Sequence, residues 1–168
     1  MNKPWDRTYW VEPGMFLAGC YPGDLNPGVT RMRVDGLAAA GIRHVINLME
    51  EDETDYQGKP FAPYRQMLPP ETVMVRHPIR DLSVPEAALV ETILAEIDEN
   101  IGAGRPVMVH CWGGIGRTGV IVGCWLARHG WPGAAALKRL AELRRGEPTG
   151  YRSSPETTEQ RAFVLAFK

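Results

Sequence analysis

The sequence predicts an α/β fold: a single domain over residues 1–168 with a central, mainly parallel sheet and helices on both faces. Short, uniformly apolar runs alternate with longer segments whose apolar residues recur at helical spacing, as in strand–helix units that cover a parallel sheet on both sides. The 168 residues, 44% hydrophobic and 23% charged, also have the size and balance of one globular core and are few for two.

Taken in order, Met15–Gly19 ("MFLAG") is the first apolar run, closed by the turn-rich "CYPGDLNPG". A helix follows from Arg33 to Ala40, stopped by Gly41 at its C′ position. His44–Met49 and Val73–Ile79 read as buried strands. Between them, residues 50–71 are polar and proline-broken and form a long surface loop. Its acidic start, "EEDE", reads as a solvated face, while Tyr56, Phe61, Tyr64 and Arg65 are candidates for one wall of a binding cleft.

From Pro85 onward, Leu89, Ile93, Ile97 and Ile101 recur at helical spacing, with Val90 and Leu94 widening the stripe. "GAG" ends that helix, and Pro106–His110 is a fully apolar strand. Helices from Arg117 to about His129, Gly133 to Arg145 and Pro155 to Phe167 complete the chain. Ser154 is the expected N-cap of the last, with Pro155 at its first helical position.

Composition limits the function classes. A formal net charge of -1 gives no general attraction for nucleic acid or an anionic membrane, so any anion site must be local. No apolar run approaches the ~20 residues of a membrane span, and "MNKPWDRTYWVEPG" lacks the apolar core of a secretory leader. Three cysteines, Cys20, Cys111 and Cys124, stand at unrelated spacings, which argues against a disulfide framework and for a reducing, cytoplasmic compartment. With no CxxC or HExxH and four scattered histidines, neither a metal nor another cofactor is implied. The oligomeric state is left open.

One stretch carries chemistry: "VHCWGGIGRTG", Val109–Gly119. The strand before it delivers Cys111 to the carboxyl edge of the sheet, where ligands of such sheets bind. The helix beginning near Arg117 points its N-terminus, with its unpaired N–H groups and partial positive charge, back at that cysteine. Gly113, Gly114 and Gly116 free the connecting backbone to turn successive amides inward around one phosphate-sized anion, leaving the side chains of Trp112 and Ile115 to point away. Arg117 adds a planar fork that clasps two phosphate oxygens. A thiol in that field ionises readily and becomes a nucleophile aimed at phosphorus. Thr118 is placed to donate its hydroxyl to the sulfur, and His110 reads as a group fixing the loop backbone.

His110-Cys111, five residues, then Arg117-Thr118 resembles the HCx5R[ST] signature of cysteine-dependent protein phosphatases, and "HCWGGIGRTG" is especially similar to the protein-tyrosine and dual-specificity branches. "HPIRDLSVP" is similar to the loop that carries the family's acid, here Asp81, and this order of acid before cysteine differs from the low-molecular-weight branch. "VEPGMFLAG" and "LAAAGIRHVINLME" resemble the family's early strands and first helix. "SPETTEQRAFVLAF" resembles a C-terminal helix whose glutamine, here Gln160, orients water. The short chain suits a compact dual-specificity-like protein with a shallow pocket.

The resemblance implies two steps: Cys111 attacks the phosphate ester while protonated Asp81 protonates the leaving oxygen, and Asp81 then activates water to hydrolyse a phosphocysteine. Trp112, Gly113, Gly114, Ile115, Gly116 and Arg117 would bind the substrate phosphate, and the loop has no lysine to meet further phosphates. Phosphotyrosine on a protein is the preferred substrate, with phosphoserine and phosphothreonine alongside. The alternatives are a phosphoinositide or other small phosphate ester, or a non-catalytic phospho-binding module. Glu50, Asp52 and Asp24 are weaker candidates for the acid. Arg152 either faces an incoming phosphopeptide or is solvated. Cys20 or Cys124 is a candidate disulfide partner for oxidised Cys111, although Cys124 reads as core.

Overall fold

A computed structural model describes residues 2–168. Its five strands are β1 (Thr8–Glu12), β2 (Phe16–Gly19), β3 (His44–Asn47), β4 (Val73–Arg76) and β5 (Val107–His110), ordered β1-β2-β5-β3-β4 across the sheet. β1 runs antiparallel to β2, and the remaining neighbours are parallel. The helices are α1 (Pro27–Ala39), α2 (Ala87–Gly102), α3 (Arg117–Arg128), α4 (Ala134–Leu143) and α5 (Thr158–Ala166), with a 3-10 turn at Arg65–Met67.

The central strands look uniformly apolar because each has two buried faces. Successive side chains enter opposite cores. Phe16, Ala18, Ile46, Val107 and Val109 pack with α2, α3, α4 and α5 through Ile93, Ile97, Ile121, Leu140 and Val164. Leu17, Val45 and Met108 pack with Val34 and Leu37 of α1 and with Trp5. The α/β expectation, with helices on both faces, holds.

Several boundaries differ from expectation. β1, of which only the end was anticipated by the resemblance of "VEPGMFLAG" to the family's early strands, is an edge strand paired with β2. α1 starts at Pro27 rather than Arg33, because the Asn26 side chain accepts from the Gly28 N–H and Pro27 fits the first turn. β4 ends at Arg76, before Pro78, and as the other edge it leaves Val73 55% exposed. α5 begins at Thr158, with Thr157 and not Ser154 as N-cap, in a capping box closed by Gln160. The Ser154 hydroxyl instead donates to the Ile115 carbonyl at 2.7 Å.

Candidate functional site

β5, in the middle of the sheet, ends at His110, and α3 opens at Arg117. In the turn between them every carbonyl but that of Gly114 is tied to a partner outside the amide ring. The Cys111 carbonyl lies 3.2 Å from His110 Nδ1, that of Trp112 accepts from the Tyr21 N–H at 3.0 Å, and that of Gly113 from Arg7 Nη2 at 2.9 Å. The Ile115 carbonyl takes Ser154, and that of Gly116 takes the Val120 N–H. The amides of Trp112 to Gly116 donate to no protein acceptor among the described residues. Carbonyls out and amides free is the geometry of an anion nest. Gly114 is required twice over, by its φ of 71° and because a Cβ would stand 2.5 Å from the Gly19 carbonyl carbon.

Arg117, 1% exposed, is gripped from one side. Nη1 donates to Glu53 Oε1 and to the Ile79 carbonyl (3.0 Å); Nη2 donates to Glu53 Oε2 (3.0 Å) and meets Asp81 Oδ1 (3.0 Å). Burial alone would disfavour the guanidinium charge, but the Glu53 carboxylate, with Cys111 and Asp81 beside it, holds Arg117 more firmly protonated than a free arginine. Its Nε and the Thr118 hydroxyl are buried with no partner among the described residues. Thr118 therefore does not make the expected bond to sulfur here. Two orphaned donors beside free amides are what an oxyanion would satisfy.

His110, fully buried, accepts a hydrogen bond at Nε2 from the Tyr64 hydroxyl (2.5 Å), which leaves Nδ1–H to face the Cys111 carbonyl. Burial lowers its pKa from 6.5 to about 3, partly opposed by the bond to that carbonyl. It is a neutral brace, as expected. Tyr64, expected on a cleft wall, is instead buried beneath it, and Arg65 lies exposed beside a different hollow.

Cys111, Trp112, Gly113, Ile115 and Gly116 line a cavity of about 420 Å³ together with Asp81, whose side chain is 49% exposed. Tyr56 does line it, with its ring centroid 4.4 Å from that of Trp112, whereas Phe61, 5.3 Å from Trp112, lines the neighbouring hollow with Asp24 and Pro60 instead. Arg7 and Arg152 also border the cavity; Arg152 is paired with Glu156. Asp24 pairs with Arg33 at 3.4 Å and does not line this cavity. Glu50 donates its N–H to Glu53, and Asp52 is exposed. Gln160 is fully buried; its Oε1 accepts from the Glu156 and Thr157 N–H groups (3.1 and 3.2 Å) and its Nε2 donates to the Ser83 carbonyl (2.9 Å). The amide expected to orient water is already committed at both ends.

Cys20, Cys111 and Cys124 are unpaired. Cys20 and Cys124 lie in opposite cores, and burial pushes both thiols up, Cys124 to about 12. Four contributors were missed from sequence: Glu53, Tyr64 as a brace, Arg7, and the buried Arg144, which ties the Glu147, Thr149 and Arg152 segment together. "EEDE" reads as solvated, yet the Glu53 side chain is only 13% exposed. Nothing local distinguishes Glu53 from its acidic neighbours.

A sequence profile described as "Polymorphic toxin system, DSP-PTPase phosphatase" matches residues 24–131. The chain is 31% identical over 99 residues to protein 067L of Invertebrate iridescent virus 3, which is named for a supposed tyrosine phosphatase activity; the match covers 56% of this chain and 38% of that relative's length. Tk-PTP in its active form superimposes with a TM-score of 0.69 and 23% identity over 95% of each chain. PTPMT1 in complex with PI(5)P gives 0.71 and 18% over 96% of this chain and 94% of that one. At these identities the structural likeness is one of fold. Among the described residues, no helix is long and apolar enough to cross a membrane.

Proposed function

The chain belongs to the polymorphic toxin system DSP-PTPase phosphatase family, and on that premise we propose that it hydrolyses phosphotyrosine on proteins through a cysteinyl-phosphate intermediate, with all 168 residues serving one catalytic domain. The observation that carries this reading is the turn at 112–116, where carbonyls are tied outward and amides left free beside the unpartnered Arg117 Nε. The aromatic wall of Tyr56 and Trp112 on the same cavity suits a phenyl ring.

The phosphate takes the free amides and the Nε edge of Arg117, displacing Asp81 from Nη2. Glu53 and the Ile79 carbonyl keep the guanidinium in plane. The Cys111 thiolate forms a bond to phosphorus as the ester P–O bond breaks, and protonated Asp81 gives its proton to the departing phenolic oxygen. Water then attacks phosphorus, Asp81 takes its proton, and the S–P bond breaks. The Thr118 hydroxyl, unpartnered before substrate binds, turns its O–H to the departing sulfur in this step. The protein's contribution is positioning and stabilisation of charge on the equatorial oxygens. A reducing cytoplasm suits a catalytic thiol.

Phosphoserine and phosphothreonine remain substrates of a pocket this open. A second reading, a small ester or lipid headgroup bearing a further phosphate, draws support from Arg7 and Arg152 at the cavity's border. Turnover on phosphotyrosyl, phosphoseryl, phosphothreonyl and phosphoinositide substrates separates these readings. We expect p-nitrophenyl phosphate hydrolysis blocked by vanadate, and no turnover by Cys111→Ser, which still binds vanadate. Asp81→Asn should slow phosphotyrosine turnover about 10²–10⁴-fold. A Cys111→Ser protein that still turns over would end the cysteinyl-phosphate reading.

A further inference from the structure

Gln160 joins three parts of the site. Its amide oxygen closes the capping box at the start of α5, and its amide nitrogen holds the Ser83 carbonyl. A Cβ on Gly116 would stand 3.2 Å from that amide, so Gln160 also packs against the end of the anion turn. Ser83 closes a short turn back onto Arg80, its N–H and hydroxyl both donating to the Arg80 carbonyl (3.2 and 2.7 Å). Inside that turn sit Asp81 and Leu82. Leu82 has a φ of 58°, the left-handed region that a branched side chain rarely adopts. A conformation of this kind persists only where its surroundings hold it. Two contacts do so: Asp81 on Arg117, and the Ser83 carbonyl on Gln160. The first is the one an incoming phosphate displaces. The second stays.

We propose that Gln160 is a positioning residue for Asp81: by holding the 80–83 turn through Ser83, it keeps the acid over the cavity after Arg117 has turned to the phosphate. Gln160 therefore acts on the first step, P–O cleavage, and not on the water of the second. The inference rests on Asp81 being the general acid.

A series of aryl phosphates, from p-nitrophenyl phosphate to phosphotyrosine, tests it, because good leaving groups need little protonation. Gln160→Met removes both ends of the amide. Gln160→Glu keeps an acceptor for the cap but sets a carboxylate oxygen against the Ser83 carbonyl, and a cooperative melt with an unchanged circular-dichroism spectrum identifies which of the two variants has folded. In either variant, kcat/KM for phosphotyrosine should fall about tenfold or more while that for p-nitrophenyl phosphate falls less than about threefold. The alkaline limb of the pH profile should flatten, and the pre-steady-state burst of phenol should slow. In an Asp81→Asn background the same substitutions should add little. Thr157→Ala, which breaks only the cap, should lower Tm and leave the leaving-group dependence as in the wild type.

Equal slowing on all substrates, or Gln160→Glu matching Thr157→Ala, overturns the proposal. A normal burst followed by slow turnover returns Gln160 to the water step and also overturns it. If Asp81→Asn itself leaves the leaving-group dependence unchanged, the assignment of the acid has failed, a result that appears in that variant alone.

Discussion

A guanidinium has five N–H donors in one plane, and at Arg117 those of Nη1 and Nη2 face Glu53, Ile79 and Asp81, leaving Nε for an anion. Glu53 thus sets which edge of the fork is available. Glu53→Gln keeps the shape and removes the charge opposite a buried cation. It should cost about 1–3 kcal/mol in urea unfolding and raise the vanadate concentration needed for half inhibition. Vanadate inhibition identical to the wild type would leave Glu53 without a part in orienting Arg117. The motif residues were legible because their spacing is local: strand end, turn and helix start fall within eleven residues, Val109–Gly119. Glu53 was not, since any of its acidic neighbours has the same side-chain chemistry and only the folded loop selects among them.

Among the elements, the anion turn makes a sharp distinction between adjacent glycines. Gly114 has a positive φ and backbone 2.5 Å from where a Cβ would sit, whereas the nearest atom to a Cβ on Gly113 is 3.8 Å away. Gly114→Ala should therefore abolish vanadate binding and lower Tm by several degrees, while Gly113→Ala retains both; equal effects from the two would contradict the close packing of the turn on Gly19. The segment after α4 depends on Arg144, 1% exposed, which donates to Glu147, Thr149 and Arg152. Burial raises the Glu147 carboxyl, opposed by the Arg144 charge beside it. Arg144→Met leaves that acid buried and unpaired and should cost about 3–5 kcal/mol, read by denaturant unfolding; a loss within 0.5 kcal/mol would mean the segment is held by other means. Element type was largely readable and element ends less so. Asn26-Pro27 and Thr157 with Gln160 are cap signals present in the sequence, but Ser154-Pro155 looks as good as the second until the hydrogen bonds are known, and the first was passed over for a later start at Arg33.

For the whole molecule, one buried imidazole links pH to stability. His110 is folded as a neutral base with its pKa lowered from 6.5 to about 3, so between those values the unfolded chain binds a proton that the folded chain refuses. Stability from this group is fully present above about 6.5 and lost as pH falls toward 3, on the order of a few kcal/mol in all. His110→Asn, less stable at neutral pH, should show a flatter decline in unfolding free energy from about pH 7 down to about pH 4, where the unfolded imidazole is protonated and the folded one is not; parallel curves would show that the acid sensitivity lies elsewhere. The sequence by itself determined the α/β class, the strand that delivers Cys111, the glycine turn and the arginine that follows it, because each is written in the periodicity or spacing of adjacent residues. Only the tertiary structure decided that Tyr64 braces His110 across 46 residues, that Glu53 grips Arg117 across 64, that Gln160 holds Ser83 across 77 and that Arg7 ties Gly113 across 106. Those contacts follow from which loops and helices the packed sheet brings beside the end of β5, and that arrangement is a property of the folded chain that no local pattern encodes.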